Sequence, residues 1–140
     1  MELLDQKDRW HLAFQAGLLQ LIQIDFRLGL FLSDASGKAQ LFVETPCRLK
    51  GPSIDVILDP AKSPSLAPIL PLFNAEVIDI TVWKTGKLEV RFGGGHTLEV
   101  DPHDTYEAWQ LGCSTGVMLV CSPSGKVSFF QQTEQPAKSP

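Results

Sequence analysis

The chain has 140 residues, of which 44% are hydrophobic and 20% charged, and its net charge is −4 at pH 7. This composition is typical of a soluble globular protein and excludes a disordered chain. No apolar run approaches the ~20 residues of a membrane span, and no basic footprint for nucleic acid is visible. We therefore expect neither a membrane nor a nucleic acid as a partner.

The N-terminal segment indicates the cellular location, and the number and spacing of the cysteines indicate whether they form disulfides or bind a metal. Met1–Arg9 lacks the basic start and apolar core of a signal peptide, so we expect a cytoplasmic protein. Cys47, Cys113 and Cys121 are odd in number and widely spaced, which is typical of neither a disulfide framework nor a Cys-x-x-Cys metal site. We expect them to be small buried apolar residues, with no metal or other cofactor bound.

The first half of the chain reads as strands. Trp10–Phe14 alternates like a short strand, and Ala16–Gly17 breaks it. Leu18–Ile24 is a long strand, and Leu28–Ser33 and Ala39–Glu44 then form a hairpin.

One segment resists a strand interpretation. Asp59–Phe73 contains four prolines, and its apolar residues recur at helical spacing. Ser63 is the predicted N-cap, with Pro64 at the first helical position. Because Pro68 and Pro71 limit its length, we expect one short helix or 3₁₀ segment.

The second half repeats the strand pattern. Ala75–Lys84 is a strand, and Lys87–Phe92 alternates cleanly between apolar and charged residues. Gly93–Gly95 is a turn, because glycine tolerates positive φ angles, and His96–Asp101 returns. The apolar strands and hairpins of residues 17–49 and 75–111 match at an offset of roughly 58 residues.

A last hairpin closes the chain. Met118–Ser122 and Lys126–Gln131 pair across a Pro-Ser-Gly turn. Adjacent strand residues point to opposite faces, so either Phe129 or Phe130 must leave the core. We expect one β-rich domain over 1–131 and a disordered tail over 132–140.

The predicted fold class is α+β, mainly antiparallel β. Two related strand–hairpin units are joined by the short Pro-rich helical segment, and the C-terminal hairpin completes the sheet. Sheet edges must be protected or paired, so a dimer through an edge strand is consistent with this fold.

Residues 104–112 allow two interpretations. Asp104 and Glu107 have the spacing of a capping box, which predicts a short helix ending at Gly112. The equivalent segment of the first unit has no helix signature, so a strand is favoured. In a strand, Glu107 shares one face with Trp109 and Leu111.

The candidate site residues cluster around this segment. They are His96, His103, Tyr106, Glu107 and Trp109. Their spacing predicts neither a metal site nor a catalytic group, and no catalytic residue is assigned. A carboxylate beside Trp109 must find a partner. Glu107 is therefore either a hydrogen-bonded structural brace or a ligand anchor at a pocket rim.

Several motifs carry a family resemblance. They are Gly86-x-Leu88-x-Val90-x-Phe92, His96-x-Leu98-x-Val100 and Tyr106-Glu107-Ala108-Trp109. Together they resemble a family of small, mainly actinobacterial proteins of unknown function with a Tyr-Glu-x-Trp motif after a glycine-turn hairpin. Pro123-Ser124-Gly125 departs from the family's usual Pro-Gly-Gly turn. The resemblance implies no catalytic residues, and in size and β-rich build it is similar to bacterial immunity proteins.

Two functions follow as hypotheses. The first is a non-enzymatic protein-binding module, for which an immunity-type partner of a toxin is one form and self-association through an edge strand another. The alternative is a small-ligand-binding protein or minor enzyme with a pocket near His96, His103, Glu107 and Trp109.

Overall fold

A computed structural model describes residues 1–132 of the chain, and these form one 12-stranded sheet in which all paired strands are antiparallel. The strands are β1 Leu3–Gln6, β2 Arg9–Ile24, β3 Leu28–Asp34, β4 Gly37–Val43, β5 Cys47–Gly51, β6 Ile54–Leu58, β7 Glu76–Trp83, β8 Leu88–Phe92, β9 Thr97–Val100, β10 Trp109–Cys113, β11 Val117–Cys121 and β12 Val127–Gln131. The predicted mainly antiparallel β class is confirmed.

The order of the strands interleaves the two halves of the chain. It runs β12-β11-β10-β4-β3-β2-β7-β8-β9-β5-β6, and β1 pairs β2 outside this path. The predicted hairpins β3–β4, β8–β9 and β11–β12 are all present. However, β5 does not pair β4, which precedes it, but β9, and β10 pairs β4. Each half therefore supplies a strand to the hairpin of the other half.

The long strand β2 bends at the point where we expected a break. Ala16 has a φ of 52°, and the register with β7 shifts between Ala13 and Gly17. A side chain at Gly17 would put its Cβ 2.5 Å from the Cβ of Phe14. The predicted break at Ala16–Gly17 is wrong, because the chain passes through a bulge and continues as the same strand.

The inner face of the sheet forms the core. One cross-strand row consists of Leu30, Leu41, Leu111 and Leu119, each at most 1% exposed. The sheet curls until its two parts meet, since Phe129 of β12 stacks on Trp10 of β2 with ring centroids 6.5 Å apart. Phe129 therefore lies on the inner side and Phe130 on the outer side, as the alternation of strand residues requires.

A 3₁₀ helix over Ser63–Leu72 packs against this core. It contains Pro68 and Pro71 and buries Leu66, Ile69 and Leu72. The predicted short 3₁₀ segment is thus present.

The predicted N-cap of this helix is wrong. Lys62 occupies the cap position without a side-chain hydrogen bond. Ser65 Oγ instead accepts from Asp59 N at 2.8 Å and donates to nearby backbone carbonyls. The hydroxyl that stabilises this end of the helix is therefore two residues further along the chain than the one we predicted.

The structure supports the strand interpretation of residues 104–112 only at the C-terminal end of that segment. β10 begins at Trp109, and 104–108 has neither helix nor strand geometry.

Two further 3₁₀ turns, Gly93–Gly95 and Pro123–Gly125, lie where turns were predicted. The predicted tail lies outside the described residues apart from Gln132. Within residues 1–132, no helix has the length and apolar character to cross a membrane.

Candidate functional site

Trp109 is a core residue. Its side chain is 0% exposed, and its indole Nε1 donates a 2.8 Å hydrogen bond to the carbonyl oxygen of Gly86. That oxygen lies in the turn between β7 and β8, so Trp109 ties this turn to β10. The indole N–H has its partner inside the protein, which is a structural role.

His103 and Tyr106 form an exposed pair between β9 and β10. Their ring centroids are 5.0 Å apart, and Tyr106 is 63% exposed. His103 Nδ1 accepts hydrogen bonds from the backbone N–H groups of Thr105, at 3.0 Å, and Tyr106, at 3.2 Å. Because the imidazole holds the loop backbone, the loop presents Tyr106 to solvent in a defined geometry.

Glu107 and His96 belong to different segments of the chain. Glu107 precedes β10 and is half-buried, so it does not share a strand face with Trp109 as predicted. His96 lies before β9 and packs over Gly51, where an added Cβ would lie 2.5 Å from its Cδ2 atom. His103 lies beyond the other end of β9.

The structure places the five predicted site residues on the β9 approach, on the loop before β10 and at the start of β10. None of them lines either of the two cavities described below. Among residues 1–132, no group of three or more metal-ligating side chains is found. Their role in binding stays a prediction.

A polar cluster that the sequence did not indicate lies on the outer face of β7. Asp79 is only 5% exposed and accepts hydrogen bonds from Arg91 Nε at 2.8 Å and Arg91 Nη2 at 2.6 Å. His11 Nε2 donates to the same carboxylate at 3.0 Å. The Arg91 guanidinium, followed by His11, holds the pKa of Asp79 below its ordinary value, although burial opposes this.

This cluster is a brace across three strands. Arg91 occupies both carboxylate oxygens, so Asp79 has little capacity left to orient His11 as a catalytic base. Each residue lies at a position where alternation predicts a polar side chain. Alternation assigns each residue to the outer face, but only the register shows that the three side chains meet.

The cysteines are held as neutral thiols. Burial raises the pKa of Cys47 to about 12 and that of Cys113 to about 11. Burial also raises the pKa of Cys121, and the nearby charge of Glu107 adds to the effect. A thiol is nucleophilic only as the thiolate, so these groups are poorly suited to nucleophilic chemistry.

The outer face of the sheet divides into two halves of different character. From β2 through β7, β8, β9 and β5 to β6, its cross-strand rows are mostly charged. The outward side chains there are His11, Ala13, Arg48, Lys50, Asp55, Ile57, Asp79, Thr81, Glu89, Arg91, Thr97 and Glu99. Ion pairs such as Lys50–Glu99, at 3.3 Å, and Arg48–Asp55, at 2.5 Å, link them across strands.

The other half of the outer face has no charged residue in its two rows, where apolar side chains are mixed with Gln, Gly and Ser, and we call it the apolar band. It crosses β2, β3, β4, β10, β11 and β12 in two adjacent rows of outward residues. They are Leu21, Phe31, Gln40, Gly112, Met118 and Phe130 in one row, and Gln23, Gly29, Phe42, Gln110, Val120 and Ser128 in the next.

The apolar band is accessible and almost uncharged. Leu21 is 49%, Met118 39% and Phe130 55% exposed. Lys38 is an outward charge beside the rows, and Arg27 covers Phe42 with its guanidinium carbon 4.2 Å from the ring centroid. Apolar side chains that remain half exposed across several strands mark a surface suited to contact with another apolar surface.

Two cavities lie along the band. One of about 350 Å³ lies at the β12 end and is lined by Gly112, Met118 and Phe130 among others. The second, of about 300 Å³, lies over Leu21 and Phe31. Both cavities thus fall on the same cross-strand row, and the absent side chain of Gly112 leaves room for the first. Cross-strand register, which local alternation does not reveal, is what assembles this surface.

A family model matches residues 10–131, and its description is a family of unknown function, DUF6188. No curated protein and no solved structure matches the chain. The match covers most of the sequence, from β2 to the end of β12. The chain therefore belongs to the DUF6188 family of unknown function.

Proposed function

We propose that this protein is a non-enzymatic protein-binding module and that the apolar band is its contact surface. The observation that carries the proposal is the two-row apolar band, which crosses six strands and contains both cavities. Phe130 and Met118 belong to residue types that are enriched in protein interfaces, whereas charged residues are depleted there.

The chemistry of the band favours a partner with an apolar, uncharged surface. Three ion pairs, Arg48–Asp55, Lys50–Glu99 and Arg91–Asp79, already bind most charges on the other half of the outer face, so those charges provide weaker anchors. An immunity-type role, in which the partner is a toxin, is one form of this proposal, and a cytoplasmic location accords with it.

The two-unit organisation remains a proposal as well. It is supported by the reciprocal pairing of β5 with β9 and of β10 with β4. The alternative of a small-ligand site near His96, His103, Glu107 and Trp109 receives less support, because Trp109 is fully buried with its indole N–H bonded to Gly86 O, and none of the four side chains lines either cavity.

Photo-crosslinking in the native organism tests the binding role. A benzophenone amino acid replaces Phe130 in the band or, as a matched control, Ile57, which is 61% exposed on the charged half. We expect a covalent adduct with a different protein from position 130 and none from position 57. Untagged wild-type protein should compete for the adduct, whereas Met118→Lys should not. No adduct, the same adduct from both positions, or an adduct only with second copies of this chain would overturn the proposal.

A further inference from the structure

The two ends of the sheet differ in how their edges are protected. The terminal strand β6 carries Asp55 in a bidentate ion pair with Arg48, and the 3₁₀ helix contacts it. The opposite terminal strand, β12, is Val-Ser-Phe-Phe-Gln, with no charge, no proline and no bulge. Folded proteins protect sheet edges with charges, proline or covering elements, and an edge without them is ready to pair.

The hydrogen bonds of β12 reveal which of its backbone groups are free. Lys126 O accepts from Ser122 N at 2.8 Å, and Gln132 N donates to Gly116 O at 2.9 Å. Both bonds extend the β11–β12 ladder by one residue pair beyond each end of the strands. In an antiparallel ladder such pairs occur at every second residue, so Val127, Phe129 and Gln131 direct their N–H and C=O groups to the open edge.

We infer that β12 pairs antiparallel with β12 of a second copy of this chain, with Phe129 opposite Phe129 across a two-fold axis. In this register Val127 lies opposite Gln131, and each of the three pairs can form two backbone hydrogen bonds. The same edge on both partners makes the contact isologous and closed.

Charge and packing favour a second copy as the occupant of the edge. Because β12 carries no charged side chain, pairing two β12 edges brings no like charges opposite each other. Lys126 of one copy lies opposite Gln132 of the other. On the inner side, the Trp10–Phe129 stack of one copy meets the same stack of the other, which adds aromatic burial at the centre.

This dimer deepens the proposed function, on which it rests, because it joins two apolar bands end to end through Phe130 and Met118. A partner would then contact one continuous surface. The edge pairs through the backbone of Val127, Phe129 and Gln131, whereas the band consists of outward side chains, so Gln131→Pro tests the dimer without changing a side chain of the band.

The test compares two substitutions of Gln131 by sedimentation velocity on the full chain over a range of concentrations. Gln131→Pro removes an outward N–H and leaves the ladder with β11 intact, whereas Gln131→Ala keeps that N–H. We expect the wild type and Gln131→Ala to dimerise equally. Gln131→Pro should raise the dimer Kd at least about tenfold, because each copy loses one inter-copy hydrogen bond. Circular dichroism confirms that both variants are folded.

Disulfide trapping tests the register. Phe129→Cys should form an intermolecular disulfide under mild oxidation, because directly paired Cα atoms lie within disulfide range. Phe130→Cys, whose predicted neighbour is Ser128, should form much less.

Three results would overturn the dimer. They are a monomeric wild type at every concentration, equal dimerisation of Gln131→Pro and Gln131→Ala, and a dimer that forms only after residues 133–140 are deleted. The last result would mean that the chain covers its own edge. If position 130 forms an adduct with a different protein while this chain sediments as a monomer, the proposed function is preserved and the dimer is rejected. A dimer without that adduct would do the reverse.

Discussion

The buried carboxylate of Asp79 allows a quantitative test of the outer-face brace. Asp79→Asn keeps the size of the side chain but removes the charge that accepts hydrogen bonds from Arg91 and His11. Hydrogen bonds to charged groups contribute about 1.5–3 kcal/mol each, and breaking a buried ion pair costs about 3–5 kcal/mol. The Arg91 side chain is 52% exposed, and solvent screening therefore reduces the loss. We expect a destabilisation of about 2–3 kcal/mol, or roughly 6–10 °C in Tm.

A matched control separates burial from geometry. Asp55 is bound by Arg48 through two hydrogen bonds of 2.7 and 2.5 Å, but both side chains are about half exposed. Asp55→Asn should therefore destabilise the fold much less than Asp79→Asn, because solvent screens the exposed pair. Urea denaturation of the wild type and both variants at pH 7 measures the two losses. Equal losses for Asp79→Asn and Asp55→Asn would refute the assignment of the stabilisation to burial.

The lowered pKa of Asp79 predicts how the stability difference between the wild type and Asp79→Asn depends on pH. The pKa of Asp79 is lowered in the folded state, chiefly by the hydrogen bonds from Arg91. Its stabilisation is therefore fully present above the unfolded carboxyl pKa of about 3.9 and is lost as pH falls through the folded pKa. Because asparagine does not titrate, the gap between wild type and Asp79→Asn should narrow below about pH 4. A gap that stays constant on acidification would contradict a charged Asp79.

Two further substitutions test the interior contacts. Trp109→Phe removes the donor to Gly86 O and leaves a cavity, so urea denaturation should show a loss of about 2–3 kcal/mol. A loss under about 0.5 kcal/mol would mean that the turn is not held by this bond. Gly51→Ala should cost about 1–3 kcal/mol, because its Cβ would lie 2.5 Å from His96 Cδ2. His96→Ala in the same chain should recover most of the Tm, and no recovery would place the strain elsewhere.

Local alternation predicted the strands well where one face is buried. In β8, Leu88, Val90 and Phe92 point inward while Glu89 and Arg91 alternate with them, and the structure buries the three apolar residues. A period of two specifies which face a residue occupies. It does not specify the neighbouring strand, so the pairing of β5 with β9 and of β10 with β4 was beyond local patterns.

The same limit explains why the Asp79 cluster and the apolar band could not be predicted from the sequence. Asp79 lies in a segment that reads as an apolar strand, and its partners His11 and Arg91 are distant in sequence and meet it only through the register. The apolar band likewise combines residues from six strands, of which Leu21 and Phe130 are more than a hundred positions apart. Glu107 and Trp109 were grouped by assuming that the strand began earlier than it does. Trp109 does begin β10, but Glu107 lies before it in the loop.

The reciprocal pairing also shapes how the chain must fold. The β3–β4 hairpin is complete once residue 43 has left the ribosome, yet the strand that pairs the outer edge of β4 begins only at Trp109. Until then β4 has an open edge, and neither half can close its sheet alone. Such non-local contacts slow folding and prolong the exposure of strand edges to other chains. We therefore expect late, cooperative folding, in which truncation before β10 leaves an aggregation-prone fragment.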